Sequence, residues 1–143
     1  MKIGIASDHR GFELKQEVTK YLKQIGYTII DYGTDNQESV DYPLYAFKVG
    51  EAIKNNDIDR GILICGTGIG MSIACNKVKT VRCAKVDTID DTYFARAHNN
   101  ANVIAISEKN ESPFEIVKTF LDTEFSNEER HLKRVEMIDN YDN

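Results

Sequence analysis

The sequence has no apolar run long enough to cross a bilayer, which takes about 20 residues in a helix. Even Gly61–Cys65, among its longest apolar runs, is far shorter than that. It also has no long apolar leader followed by small residues, because Lys2–Ala6 already reads as a strand. We therefore expect a protein with no membrane span and no export signal, located in the cytoplasm.

Positive charge is scarce, because the chain has 18 Lys and Arg residues but 23 Asp and Glu residues, which gives a formal net charge of −5. That balance argues against a broad nucleic-acid surface, although two or three local cations can still hold a small anion. The histidines lie far apart, and neither C-x-x-C nor H-x-x-x-H spacing occurs. No metal site is predicted.

Cysteine is also sparse, and its count is odd. Cys65, Cys75 and Cys83 cannot all pair within one chain, and each lies in an apolar stretch. For Cys75 and Cys83 we expect reduced, buried thiols, as is usual in cytosolic proteins.

The 143 residues suit one domain, spanning residues 1–143. Short β-rich runs alternate with longer helical patterns, which predicts a parallel sheet covered by helices on both faces. Ligands of such sheets bind at the carboxyl ends of the strands. The predicted strands are 2–7, 27–31, 60–65, 81–86 and 102–106, and the predicted helices are 11–25, 42–55, 69–78, 90–98, 113–122 and 127–140.

The segment Cys65–Gly70 follows the third predicted strand and reads C-G-T-G-I-G. Its glycines allow a sharp turn and close approach to the main-chain amides, which can hold an oxyanion at the start of the next helix. It matches neither the dinucleotide fingerprint nor the phosphate-binding loop of NTPases. Cys65 is either a reactive thiolate favoured by the helix start or a packed strand-end residue.

Two further groups of polar residues are candidates for proton transfer and for phosphate binding. His98 precedes several asparagines and titrates in the range useful for proton transfer, although it could simply cap a helix. Arg130 and Arg134 are four residues apart, so they share a helix face that fits a phosphate. Taken alone, such a pair is more often a solvated surface.

In combination these motifs resemble ribose-5-phosphate isomerase type B, the RpiB/LacAB family of sugar-phosphate isomerases. The resemblance covers nearly the whole chain in the same order. It rests on Ser7–Gly11, Asp41–Pro43, Cys65–Met71, Asn76–Val78, His98–Val103, Arg130, His131 and Arg134.

The resemblance implies a Rossmann-like three-layer α/β/α sandwich with a five-stranded parallel sheet. It also implies a homodimer or dimer of dimers with sites built from both subunits, and no metal or organic cofactor. The reaction expected is the interconversion of ribose 5-phosphate and ribulose 5-phosphate through an enediolate, in the pentose phosphate pathway. An isomerase of allose or galactose 6-phosphate, a non-catalytic phosphosugar-binding module and a thiol redox protein are the alternatives.

The resemblance also assigns roles. Cys65 is the base that moves the proton and His98 helps to open the sugar ring, while Arg130 and Arg134 bind the phosphate. Lys109 falls where the family has a phosphate-binding arginine, so we expect weaker substrate binding. The loop amides of Gly66, Thr67, Gly68, Ile69 and Gly70 hold the enediolate, and Asp8, His9, Tyr42 and Asn99 contact the sugar.

Overall fold

The protein is described by a computed structural model that covers residues 1–141. Its five strands form one parallel sheet in the order β2-β1-β3-β5-β4. The elements are β1 (Lys2–Ser7), α1 (Phe12–Gln24), β2 (Thr28–Asp31), α2 (Tyr42–Lys54), β3 (Arg60–Cys65), α3 (Ile69–Cys75), β4 (Cys83–Lys85), α4 (Ile89–Ala97), β5 (Val103–Ser107), α5 (Pro113–Asp122) and α6 (Glu129–Asn140).

Each face of the sheet buries its own apolar core, which confirms the predicted three-layer α/β/α sandwich. Alternate side chains of β3 point to opposite faces, so Ile62 and Ile64 join one core while Leu63 and Cys65 join the other. Helices α1, α4 and α5 cover the first core, and α2 and α3 cover the second.

The strand order places a topological switch point between β1 and β3. The chain passes from β1 to β2 on one side and from β3 towards β4 on the other, so the two connections diverge and leave a crevice. We call the side of the sheet formed by the loops after Ser7, Cys65 and Ser107 the carboxyl edge. The opposite side, formed by the segments before Arg60, Cys83 and Val103, is the amino edge.

Some predicted boundaries were wrong. The helix predicted over 69–78 ends at Cys75, because the amides of Lys77 and Val78 turn back to carbonyls only three residues earlier. The fourth strand shrinks from 81–86 to three residues, and Cys83 is half-buried rather than buried. Helix α6 is ordered to Asn140, while Asp142 and Asn143 lie outside the described residues. No helix within residues 1–141 is long and apolar enough to span a membrane.

A buried ion pair ties α1 to the end of β2. The side chain of Lys15 is only 1% exposed, and its Nζ donates to both carboxylate oxygens of Asp31 at 2.7 Å. Asp31 also accepts a hydrogen bond from the amide of Gly33, so the pair fixes the start of the loop after β2.

We expect Asp31→Asn to destabilise the protein by about 3 kcal/mol, because it leaves the buried Lys15 charge without its partner. Lys15→Met should cost less, since Asp31 retains access to water and methionine keeps the packing. Urea unfolding measures both. Lys118→Met is the control, because its Asp122 partner lies on the surface and the change should be small. Equal effects of Asp31→Asn and the control would contradict a stabilising role for the pair.

Candidate active site

The thiol of Cys65 lies at the carboxyl edge with a main-chain donor beside it. Cys65 ends β3 and is 5% exposed. The amide of Gly68 donates to its Sγ at 3.1 Å. This hydrogen bond holds the sulfur against the glycine loop, beside further main-chain amides.

The glycine loop owes its shape to Gly68, whose φ is +82°, a conformation that L-residues with a side chain rarely adopt. A Cβ on this residue would also lie 3.0 Å from the carbonyl carbon of Ile106. Position 68 therefore requires glycine for two reasons, its backbone conformation and the lack of space for a side chain. Because the Gly68 amide donates to Cys65, a substitution here would displace that donor.

We expect Gly68→Ala to destabilise the fold by about 1–3 kcal/mol from backbone strain and to lower turnover by displacing the amide. Gly26→Ala is the matched control, because Gly26 has φ +100° but open space around its Cβ position. The control should lose stability and keep its activity. Denaturant unfolding and steady-state kinetics test both variants, and equal losses of activity would contradict the assignment.

The loop after β1 holds Asp8 and His9 in fixed positions. One carboxylate oxygen of Asp8 accepts from the amides of Arg10 and Gly11 at 3.0 Å, which satisfies donors at the start of α1. The ring Nδ1 of His9 accepts from the amide of Val40 at 3.2 Å, so the neutral ring carries its proton on Nε2. The loop leading to α2 thus orients His9.

Tyr42 lies directly against the glycine loop. It is the first residue of α2, and a Cβ on Gly70 would come within 2.5 Å of its ring carbon Cζ. Only glycine at position 70 permits this approach. Tyr42, Cys65 and the loop amides therefore line the same part of the carboxyl edge, next to Asp8 and His9.

The structure adds residues that the sequence analysis did not single out. The guanidinium of Arg10 lies against Gly66 and donates to the carboxylate of Glu108 at 2.9 Å. The amide of Glu108 donates to the carbonyl of Cys65 at 2.8 Å, and the hydroxyl of Ser107 donates to the carbonyl of Gly66. Ser107 ends β5 and Glu108 follows it at the same edge, so the strand-end rule could have found both. Lys109, exposed, comes next along the chain.

The remaining predicted site residues lie at the amino edge of this chain. Helix α4 returns antiparallel to the strands, so His98 and Asn99 follow it where β5 begins, whereas Cys65 pairs with Ser107 where β5 ends. The length of β5 alone separates these ends by about 13 Å. Within one chain the structure thus does not bring His98 to Cys65.

His98 stacks on a second histidine at the amino edge. Its ring centroid lies 4.2 Å from that of His131, and the Nδ1 of His131 lies 2.7 Å from the Ser126 hydroxyl. Burial lowers the pKa of His131, and the neighbouring His98 and Arg130 lower it further. Helix α6, which supplies His131, also exposes Arg130 and Arg134, and Arg130 pairs with Glu128 at 3.0 Å.

No group of three His, Cys, Asp or Glu side chains within the described chain is arranged as a metal site. The groups available for chemistry are the thiol, the imidazoles, the main-chain amides and the cationic side chains. These suit proton transfer and anion binding.

Known proteins resemble this chain over nearly its whole length. A model of the ribose/galactose isomerase family matches residues 3–138. A putative sugar phosphate isomerase of Bacillus subtilis is 44% identical, over 99% of this chain and 97% of its own. The solved ribose-5-phosphate isomerase B of Clostridium thermocellum superposes with a TM-score of 0.94 at 47% identity, covering 97% of this chain and 95% of its own.

A second solved structure has been determined with a sugar phosphate. Ribose-5-phosphate isomerase B of Mycoplasma genitalium, with bound ribulose-5-phosphate, superposes with a TM-score of 0.92 at 40% identity, covering 98% of this chain and 95% of its own. Fold and comparisons together define the class, an α/β aldose–ketose isomerase. This chain belongs to the ribose/galactose isomerase family.

Proposed function

We propose that the protein interconverts ribose 5-phosphate and ribulose 5-phosphate, a step of the pentose phosphate pathway, with Cys65 as the base. The observation that carries the proposal is the Gly68 amide, 3.1 Å from the Cys65 sulfur in a loop of further amides. A proton next to a carbonyl is weakly acidic, so its removal needs both a base and donors for the oxyanion that forms.

In this mechanism the Cys65 thiolate takes the proton from C2 of the open-chain aldose. The enediolate that forms is held by the main-chain amides of Gly66–Gly70, and the thiol then returns a proton to C1 while the hydroxyl proton passes from O2 to O1. His98 transfers the proton that opens the sugar ring. Asp8, His9, Tyr42 and Asn99 position the sugar, and Arg130 and Arg134 grip the phosphate.

The separation of the two edges supports a homodimer with shared sites. Cys65 at the carboxyl edge and His98, Arg130 and Arg134 at the amino edge lie too far apart to act together within one chain. A second copy that sets its amino edge against the glycine loop would complete the site. Exposed apolar residues on α2 and α3, next to that loop, favour such an interface: Leu44, Phe47, Ile69 and Ile73.

The direct test is to add ribose 5-phosphate and follow the ketose that appears, alongside allose 6-phosphate and galactose 6-phosphate. We expect the pentose phosphate to give the highest kcat/KM. Faster turnover of a hexose phosphate would show that the hexose phosphate is the preferred substrate. Binding of these sugars without turnover of any of the three would indicate a phosphosugar-binding module. We also keep the cytoplasm as the expected location, since all three cysteines are free thiols.

Lys109 lies at the carboxyl edge and supplies one cation without the planar fork of arginine. We expect Lys109→Ala to raise KM for ribose 5-phosphate several-fold with little change in kcat. Lys133→Ala, on the exposed side of α6, is the control and should leave both constants unchanged. An unchanged KM for Lys109→Ala would remove this residue from substrate binding.

A further inference from the structure

A cavity of about 340 Å³ at the amino edge has no role in the proposed mechanism. It opens between the end of α2 and the segments that lead into β3, β4 and β5. Neither His98 nor the two arginines of α6 line it, and its volume falls in the range of small-molecule sites. We call it the amino-edge pocket, and its polar lining consists of Asn56, Asp59, Arg60, Thr80, Arg82, Asn100 and Asn102.

The pocket is lined by two guanidinium groups and by one carboxylate, that of Asp59, whose charge acts on Arg60 from beyond ion-pair distance. Within residues 1–141 no carboxylate lies within ion-pair distance of Arg60, and its Nε is buried without a hydrogen-bond partner. Among the described residues, only the carbonyl of Asp59 accepts a hydrogen bond from this guanidinium, at 3.3 Å. A buried donor on a charged group that lacks a hydrogen-bond partner costs free energy. A ligand that accepts a hydrogen bond from this donor therefore gains binding free energy.

Two more guanidinium groups stand close to Arg60. Arg82, with a side chain 16% exposed, lines the pocket and pairs with Asp139. Arg96 is 3% exposed, and within the described residues it donates only to neutral oxygens, those of Thr123, Asn100 and Ala101. Burial lowers the pKa of Arg96 to about 10, and repulsion from Arg60 and Arg82 contributes. These like charges favour an anion between them.

We infer that the amino-edge pocket is a second anion site, which binds a phosphate group between the guanidinium groups of Arg60 and Arg82. Arginine suits this ligand because its planar fork matches phosphate oxygens, and Asn56 at the rim supplies a neutral donor. Inorganic phosphate and a phosphate monoester share the chemistry that this pocket recognises.

Occupancy of the pocket would also act on the proposed catalytic residues. The Nε of Arg82 donates to the carbonyl of Asn100, and Arg96 donates to the side chain of the same residue. Asn100 follows His98 and Asn99 directly. A phosphate that binds Arg82 therefore alters the hydrogen bonds that hold the segment carrying these two residues. This consequence rests on the proposed function, whereas the binding itself does not.

The test is a calorimetric titration with inorganic phosphate, and with glycerol phosphate as a monoester, at low ionic strength. The titrated protein carries Arg130→Ala and Arg134→Ala, which remove the proposed catalytic phosphate contacts. We expect one remaining event per chain, weakened at least tenfold by Arg60→Gln, weakened less by Arg60→Lys, which keeps the charge but loses the planar fork, and unchanged by the surface control Lys20→Gln. Tighter binding of the monoester would identify an organic phosphate as the ligand. Equal binding of the two would identify inorganic phosphate as the ligand.

Asn56→Asp serves as a second variant, because it places a negative charge at an exposed rim position and should not disturb folding. It should also abolish the event. No event in the Arg130/Arg134 variant, or an event unchanged by both Arg60→Gln and Asn56→Asp, would overturn the inference. Because these readouts need no turnover, they remain decisive even if ribose 5-phosphate is not the substrate.

Discussion

Replacing Cys65 with alanine should lower kcat for ribose 5-phosphate by about 10²–10⁴-fold, the contribution expected of a positioned base. KM should change little, because the residues proposed to bind the phosphate and the sugar remain. Progress curves of ketose formation give both constants. Cys65→Ser should lose nearly as much, since a hydroxyl at the same point rarely ionises near neutral pH.

Cys83→Ala is the matched control for the thiol. Cys83 is the half-buried cysteine at the start of β4, outside the glycine loop, so its loss should leave kcat intact. Thermal unfolding of all three variants separates lost chemistry from lost structure. Undiminished turnover by a folded Cys65→Ala protein would exclude this thiol as the base.

Mixing two inactive variants should restore activity if each site draws on two chains. Cys65→Ala damages the carboxyl edge, and the double variant Arg130→Ala/Arg134→Ala damages the amino edge, with an expected loss of at least 10²-fold in kcat/KM. In a randomly reassociated equal mixture half of the dimers are mixed, and each contains one intact site, so about a quarter of the original activity should return. Activity before and after unfolding and refolding the mixture measures the recovery.

The control mixture combines Cys65→Ala with Tyr42→Ala, which damages the same edge. No arrangement of these two chains contains an intact site, so activity should not recover. Recovery in both mixtures, or in neither, would contradict a site shared between the two edges of different chains.

The sheet could be predicted from the sequence because each core strand is a short, continuous apolar run. The runs at 60–65 and 102–106 correspond to β3 and β5, whose side chains pack into both cores. The predicted boundaries were wrong where hydrogen bonds between neighbouring elements decide them. The turn after Cys75 and the short edge strand β4 depend on tertiary contacts, such as the two hydrogen bonds between Asn76 and the backbone of Cys83, which span seven residues.

The candidate site was only partly accessible from sequence. The strand-end rule located the loops after β1 and β3, because carboxyl ends of parallel strands share an edge. The same reasoning places His98 at the opposite edge, because this residue precedes the fifth predicted strand and the strands are parallel. Arg10 and Glu108 were missed because their ion pair joins segments 98 residues apart.

The distance between the thiol and the two exposed arginines of α6 has a kinetic consequence. With the proposed shared site, a single chain carries only part of each site and is inactive, so the rate scales with the population of paired chains. At concentrations well below the dissociation constant for pairing, that population falls with the square of the total chain concentration. Diluting the enzyme tenfold in that regime should therefore reduce the measured velocity about a hundredfold.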